Sequence, residues 1–253
     1  MLASPHHLVL VTLLTGAWLA RITLAEVSCD PTITIDRKQC AQAISQIVYD
    51  KPKDTLDRFS TVFAKLSGNC TIIVENYNKD VVTKQQIEAG YASIFNKCQT
   101  KGGINSLPNL VGFRIHDHRT FVDDLYFPPR TLTCGLNTNA PLTVEKDCQD
   151  AFKSFPVDGQ GRMLDDDHQP ADFLIKTSKT CTVNFYTTDN SPIIVKKSEI
   201  EPVVTKMIKS CQGKSGVIGM TKGGSGKNGF TLYKVRSSKP CYSPANPDTQ
   251  NCR

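Results

Sequence analysis

Few side chains in this sequence are spaced for chemistry. His116-Asp117-His118 would set two imidazoles on one face of a strand, the spacing of an acid–base pair or of two metal ligands. Asp165-Asp166-Asp167-His168 clusters carboxylates as a cation site would, but it lacks the central glycine and terminal glutamate of a calcium loop. Gly223-Gly224-Ser225-Gly226-Lys227 matches a phosphate loop only in part. Thr221 stands where the first glycine is required, Asn228 stands where a hydroxyl should follow the lysine, and a strand follows instead of a helix. The segment reads as a flexible turn. The sequence contains no Gly-x-Ser-x-Gly, His-Glu-x-x-His or cysteine-protease pattern. Asn69-Cys70-Thr71 is its one glycosylation acceptor, with a central cysteine expected in a disulfide. The expectation is therefore no catalytic residue, no metal site and no cofactor.

The cysteines carry the remaining chemistry. Zinc sites need close Cys-x-x-Cys or Cys/His pairs, whereas the nearest two cysteines here are 11 residues apart. Ten cysteines make an even set suited to disulfides: Cys29, Cys40, Cys70, Cys98, Cys134, Cys148, Cys181, Cys211, Cys241 and Cys252. The first four are separated by 11, 30 and 28 residues and the next four by 14, 33 and 30. Their surroundings repeat as well. Cys40-x-x-Ala43-Ile44 matches Cys148-x-x-Ala151-Phe152, Leu56-Asp57 matches Leu164-Asp165, and Cys98-Gln99-x-Lys101-x-Gly103 matches Cys211-Gln212-x-Lys214-x-Gly216. The chain is a duplicated frame.

Each copy predicts the same elements. A short strand (Thr32–Ile35; Leu142–Val144) leads into a helix. Its apolar stripe is Cys40, Ala43, Ile44 and Ile47 in one copy and Cys148, Ala151, Phe152 and Phe155 in the other. A hairpin turns at Ser67-Gly68-Asn69 or near Thr177-Ser178-Lys179. A second helix carries Ile87, Tyr91, Ile94 and Cys98, or Ile200, Val204, Met207 and Cys211. Its capping boxes are Thr83-x-x-Gln86 and Ser198-x-x-Glu201, offset by two residues relative to the cysteines. A last strand starts at Gly112-Phe113 or Gly229-Phe230, which sets His116 and His118 against Tyr233 and Val235. The predicted class is α+β: two tandem β-α-β-β-α-β sandwiches, with two helices on one face of each antiparallel sheet. This topology favours Cys40–Cys98 and Cys148–Cys211. The hairpin cysteine starts its strand at the same end, so the other two pairings stay open. Cys241 and Cys252 close on each other.

The expected layout is a signal peptide at 1–25, repeats at 26–119 and 134–236, a linker at 120–133, and a disulfide-closed tail at 237–253. Leu8 to Ala20 is a 13-residue uncharged run, too short to span a bilayer, and Thr23-Leu24-Ala25 offers a cleavage site. No later stretch is long and apolar enough to span, so the mature form is expected to lack a transmembrane segment. The net charge of +6 is scattered rather than striped, which predicts no nucleic-acid partner.

The cysteine frame, the Leu56-Asp57 step and Cys98 followed by Gly103 resemble secreted cysteine-rich effector candidates of plant-pathogenic, rust-type fungi. The element order is similar to the α/β-sandwich of smut killer toxins. The resemblance implies a secreted, extracellular, non-enzymatic effector-like protein acting on a host or cell-surface protein or glycan. The alternatives are a killer-toxin-like membrane-active protein, favoured by cleavage near Arg130, and an inhibitor of host hydrolases, favoured by a protruding loop such as 222–228.

Overall fold

The computed structural model describes residues 27–118, 127, 129–136, 140–239, 242–243 and 246–250. The expected signal peptide, most of the linker, Cys241 and Cys252 lie outside them. The first unit runs β1 (Ser28–Thr34), α1 (Arg37–Ile44), β2 (Val62–Ser67), β3 (Cys70–Glu75), α2 (Lys84–Cys98), β4 (Lys101–Ser106) and β5 (Gly112–Asp117). Its antiparallel sheet is ordered β1-β4-β5-β3-β2. The second runs β6 (Thr133–Cys134), α3 (Glu145–Lys153), β7 (Phe173–Ser178), β8 (Cys181–Thr187), α4 (Lys197–Cys211), β9 (Gly216–Met220) and β10 (Thr231–Ser237), with sheet order β6-β9-β10-β8-β7. In the tail, β11 (Tyr242–Ser243) pairs with β12 (Asn246–Gln250).

The α+β class and the duplication agree with the sequence, but each unit holds one strand more than the pattern shows. Lys101–Ser106 and Gly216–Met220 have no apolar alternation, and glycine is what lets them pair. A Cβ at Gly103 would sit 2.9 Å from Cys98 Sγ, and one at Gly216 would sit 2.7 Å from Cys211 Sγ. Only a bare backbone passes that close beneath the end of a helix. The first strand of the second unit also moves. Leu142–Val144 is not a strand; Thr143 instead bonds Gly213 O through its N–H (2.8 Å) and its hydroxyl (3.1 Å). The sheet edge is Thr133–Cys134, and Pro129 bridges to Gly219, so residues assigned to the linker belong to this edge.

Local signals set the helix starts. The Asp36 carboxylate caps α1, accepting from Lys38 N at 2.8 Å. The Thr83–Gln86 capping box forms. The one expected at Ser198 does not: α4 begins at Lys197, and Glu199 accepts from Lys196 N at 3.4 Å. α2 and α4 therefore both span 15 residues and end on matched cysteines, without the two-residue offset.

Each unit owns a core. In the first, Tyr91 packs on Phe113 with centroids 5.4 Å apart and donates its buried hydroxyl to Ile73 O at 2.7 Å. In the second, Phe185 lies 5.1 Å from Phe155 and 5.2 Å from Tyr233. These tilted ring contacts add to the stabilisation from buried area.

The disulfides correct the favoured pairing. They are Cys29–Cys98, Cys40–Cys70, Cys134–Cys211 and Cys148–Cys181. The extra strand is the reason. β4 lies between β1 and β5, so α2 covers the β1–β4 half of the sheet while α1 covers β2 and β3. Cys29 faces Gly103 across the β1–β4 ladder, directly under Cys98. The hairpin cysteine is left for α1.

Strand pairing also corrects the alignment of the copies. Thr71 pairs with His116, and the matching Thr182 pairs with Arg236. His116-Asp117-His118 therefore corresponds to Arg236-Ser237-Ser238, not to Tyr233-Lys234-Val235, and Phe113 corresponds to Tyr233. The shift comes from the final loop, which spans residues 107–111 in the first unit and 221–230 in the second.

Candidate functional site

That longer loop is where the two units meet. The glycine-rich segment expected to be a flexible turn is a tongue from the second unit, fixed against the first. Asn228, 1% exposed, binds the backbone of Val48 in both directions: its Oδ1 accepts from Val48 N at 2.8 Å and its Nδ2 donates to Val48 O at 2.9 Å. This amide imitates a strand neighbour. The carbonyl of Asn228 accepts from Lys65 Nζ at 2.8 Å.

Two buried carboxylates frame the contact, Asp57 from the first unit and Asp189 from the second, 3% and 1% exposed. Ser60 Oγ lies 2.9 Å from Asp57 Oδ2 and 2.8 Å from Asp189 Oδ2. A hydroxyl has one proton, so it serves one carboxylate at a time. Backbone amides and further side chains supply the rest. Lys227 N donates to Asp57 Oδ2 at 3.2 Å, Gly229 N to Asp189 Oδ2 at 2.9 Å, and Thr61 N to Asp189 O at 3.0 Å. Asp57 Oδ1 accepts from Ser60 N at 2.8 Å and Asp189 Oδ1 from Ser191 Oγ at 2.6 Å. Every carboxylate oxygen thus has a donor, as burial of charge demands. A Cβ at Gly226 would collide with the Asp189 carboxylate and the Ser60 hydroxyl, so glycine is needed for this approach. Burial lowers the pKa of the Lys65 ammonium, against the pull of Asp189 and Asp57.

The seam uses one repeated feature asymmetrically. In both Leu-Asp steps the carboxylate caps its own turn: Asp57 accepts from Phe59 N and Ser60 N, and Asp165 from Asp167 N and Gln169 N. Only Asp57 reaches across to the other copy. Cysteine-based matching pairs these steps but gives no sign of that second task.

The other candidate residues do not gather at the seam. His116 lies on β5 beside Asp30 and Pro31 in a cleft of about 260 Å³, and His118 follows the strand, its N–H on Asn69 O at 3.2 Å. Asp165–His168 forms a turn in which Asp166 ion-pairs with Lys176. Among the described residues no three His, Cys, Asp or Glu side chains converge as a metal would require. Asn69 sits half-buried in the β2–β3 turn, held by Gln39 Oε1 at 2.6 Å from its N–H. Nor is the 222–228 loop free to enter a hydrolase cleft, because Lys227 and Asn228 are bonded to the first unit.

Burial lowers the pKa of both histidines; the Arg114 charge adds to this at His116, while Asp30 and Glu75 oppose it. A histidine with a lowered folded pKa binds its proton more readily in the unfolded chain. Its neutral form is fully compatible with folding above 6.5, and stability is lost as pH falls from there through the folded pKa. The urea midpoint is therefore expected to drop between about pH 7 and about pH 5. The His116→Gln, His118→Gln chain should show a flatter profile. An identical slope in the two proteins would rule out this assignment.

No protein-family model matches the chain, and no curated protein does. Solved structures similar to it include two plant ectodomains. One is the tandem DUF26 ectodomain of the Arabidopsis thaliana cysteine-rich receptor-like protein PDLP8. It is 11% identical, with 85% of this chain and 98% of that chain covered and a TM-score of 0.29. The other is the corresponding ectodomain of PDLP5, 10% identical, with 85% and 100% covered and a TM-score of 0.28. Scores this low carry no inference, and the functional reading rests on the residues of this chain.

Proposed function

We propose that this is a secreted, non-enzymatic, effector-like protein that binds a host or cell-surface protein or glycan through a surface composed by both units. The seam carries the reading. Asp57, Ser60 and Lys65 from one copy and Asp189, Lys227 and Asn228 from the other fix a single mutual orientation. A duplicated protein whose copies worked separately would have no use for buried polar groups specific to this one arrangement. Such groups favour uniqueness of geometry over raw stability. Four disulfides support an oxidising compartment, and hence secretion after removal of residues 1–25. Among the described residues no helix is long and apolar enough to cross a membrane.

The test is capture of partners from host extracellular fluid and cell surfaces by the oxidised full chain, with the Asn228→Ala chain as parallel bait. A partner retained by the first and lost by the second supports a composite surface. Equal capture by both baits, or turnover of a captured molecule, would replace this reading with a one-unit site or an enzyme.

A further inference from the structure

The second unit carries an apolar groove of about 390 Å³ between α4 and the β6–β9 edge. Its floor is Leu132, Val203, Met207, Ile218 and Met220. Residues 216, 218 and 220 of β9 face the helix layer, as the approach of Gly216 to Met207 and Cys211 shows. In a closed sandwich α4 would cover them fully, yet Ile218 and Met220 are only half-buried.

The first unit shows what closure looks like. Counting from the matched cysteines, Val203 corresponds to Gly90, and by strand register Ile218 corresponds to Asn105. There Asn105 Nδ2 donates to Gly90 O at 3.0 Å, and a Cβ at Gly90 would press on the Phe113 ring at 2.5 Å. Glycine lets that helix settle on its sheet. Valine and isoleucine stand at the same two places, so the side-chain hydrogen bond has no counterpart and the gap beside α4 is lined by apolar groups.

The rim is cationic. Arg130 and Lys206 line the groove and are exposed, and among the described residues neither enters an ion pair. Among the described residues no carboxylate lines it. Arg130 is held in place by its own N–H, which donates to Gly219 O at 2.7 Å. We infer that this groove binds an anionic amphiphile, with an aliphatic chain against the two methionines and an acidic head between Arg130 and Lys206. The volume lies within the range of small-molecule sites, and methionine surfaces adapt to flexible chains. The site is independent of the seam and of the proposed target.

The oxidised full chain would be titrated calorimetrically with dodecanoate, with dodecanol and dodecyltrimethylammonium as charge controls. Saturable dodecanoate binding is expected, with the alkyl cation failing to bind. Arg130→Glu with Lys206→Glu, both on the surface, should weaken it about tenfold. Met220→Trp, which fills the groove, should abolish it, with near-UV dichroism checking the fold. Co-sedimentation with phosphatidylglycerol and phosphatidylcholine vesicles identifies the source. Phosphatidylglycerol binding lost in Met220→Trp marks a membrane lipid, and dodecanoate binding without vesicle binding marks a free acid. No dodecanoate binding, as when a second copy fills the groove, would overturn the proposal. So would equal binding of the cation, binding unchanged in both variants, or vesicle binding that survives Met220→Trp.

Discussion

Replacing Asn228 by Ala is expected to uncouple the two units while leaving both cores folded. The Asn228 amide makes the paired bonds to Val48 N and O and a longer one of 3.3 Å to Asp57 Oδ2. A net hydrogen bond contributes about 1 kcal/mol, and an orphaned buried partner costs about 1–3 kcal/mol. Val48 is 44% exposed, so water can reach its backbone once the amide is gone. That keeps the expected loss of coupling at about 2 kcal/mol. Amide exchange should accelerate across residues 221–230 and around Val48, with the cores around Tyr91 and Phe185 still protected. Small-angle scattering should show a more extended particle. Lys227→Ala is the control. Its ammonium meets Asp50 at 2.5 Å, but the two side chains are 56% and 38% exposed, so solvent screens the pair and its loss should leave the seam in place. Unchanged exchange in the tongue of Asn228→Ala would show that the seam is held elsewhere.

The second large effect concerns Cys29–Cys98. Its cysteines are 69 residues apart in sequence, so the bridge removes much of the entropy of the unfolded first unit, about 4 kcal/mol in the chain-entropy model. A domain of this size has roughly 5–15 kcal/mol to lose. Replacing both cysteines by Ser should therefore bring the first unit to the edge of unfolding at physiological temperature. The second unit, with its own core and its Cys134–Cys211 and Cys148–Cys181 bridges, should melt as before. Non-reducing peptide mapping of the unmodified chain comes first and should link Cys29 to Cys98 and Cys40 to Cys70. A Cys40–Cys98 peptide would mean that β4 does not separate β1 from β5.

Several features were legible because they depend on neighbours in sequence. Helical spacing of Ile87, Tyr91, Ile94 and Cys98 marks the buried face of α2 whatever surrounds it, and all four are buried. Thr83 and Gln86 lie three residues apart and complete their own cap. Gly68, at a φ of +54°, turns the first hairpin where the sequence places a turn. The compositional case for disulfides and the duplicated cysteine frame are of the same kind, since counting residues suffices.

Local patterns along the chain thus account for its duplication, its α+β elements and the types of residue that make its cores. Tertiary structure alone decided the rest, because each remaining feature joins residues with no periodic relation. β4 and β9 are strands because a helix end lies over a glycine, and nothing in Lys101–Ser106 announces that helix. Disulfide choice depends on which half of the sheet each helix covers, which the inserted strand sets. The final strands match only after ladder pairing reveals a longer loop in one copy. That loop, Gly-rich and featureless by composition, becomes an ordered tongue because Ser60, Asp57 and Val48 of the other copy supply its hydrogen-bond partners. Those three residues stand about 170 positions earlier in the chain, and only folding brings them within reach.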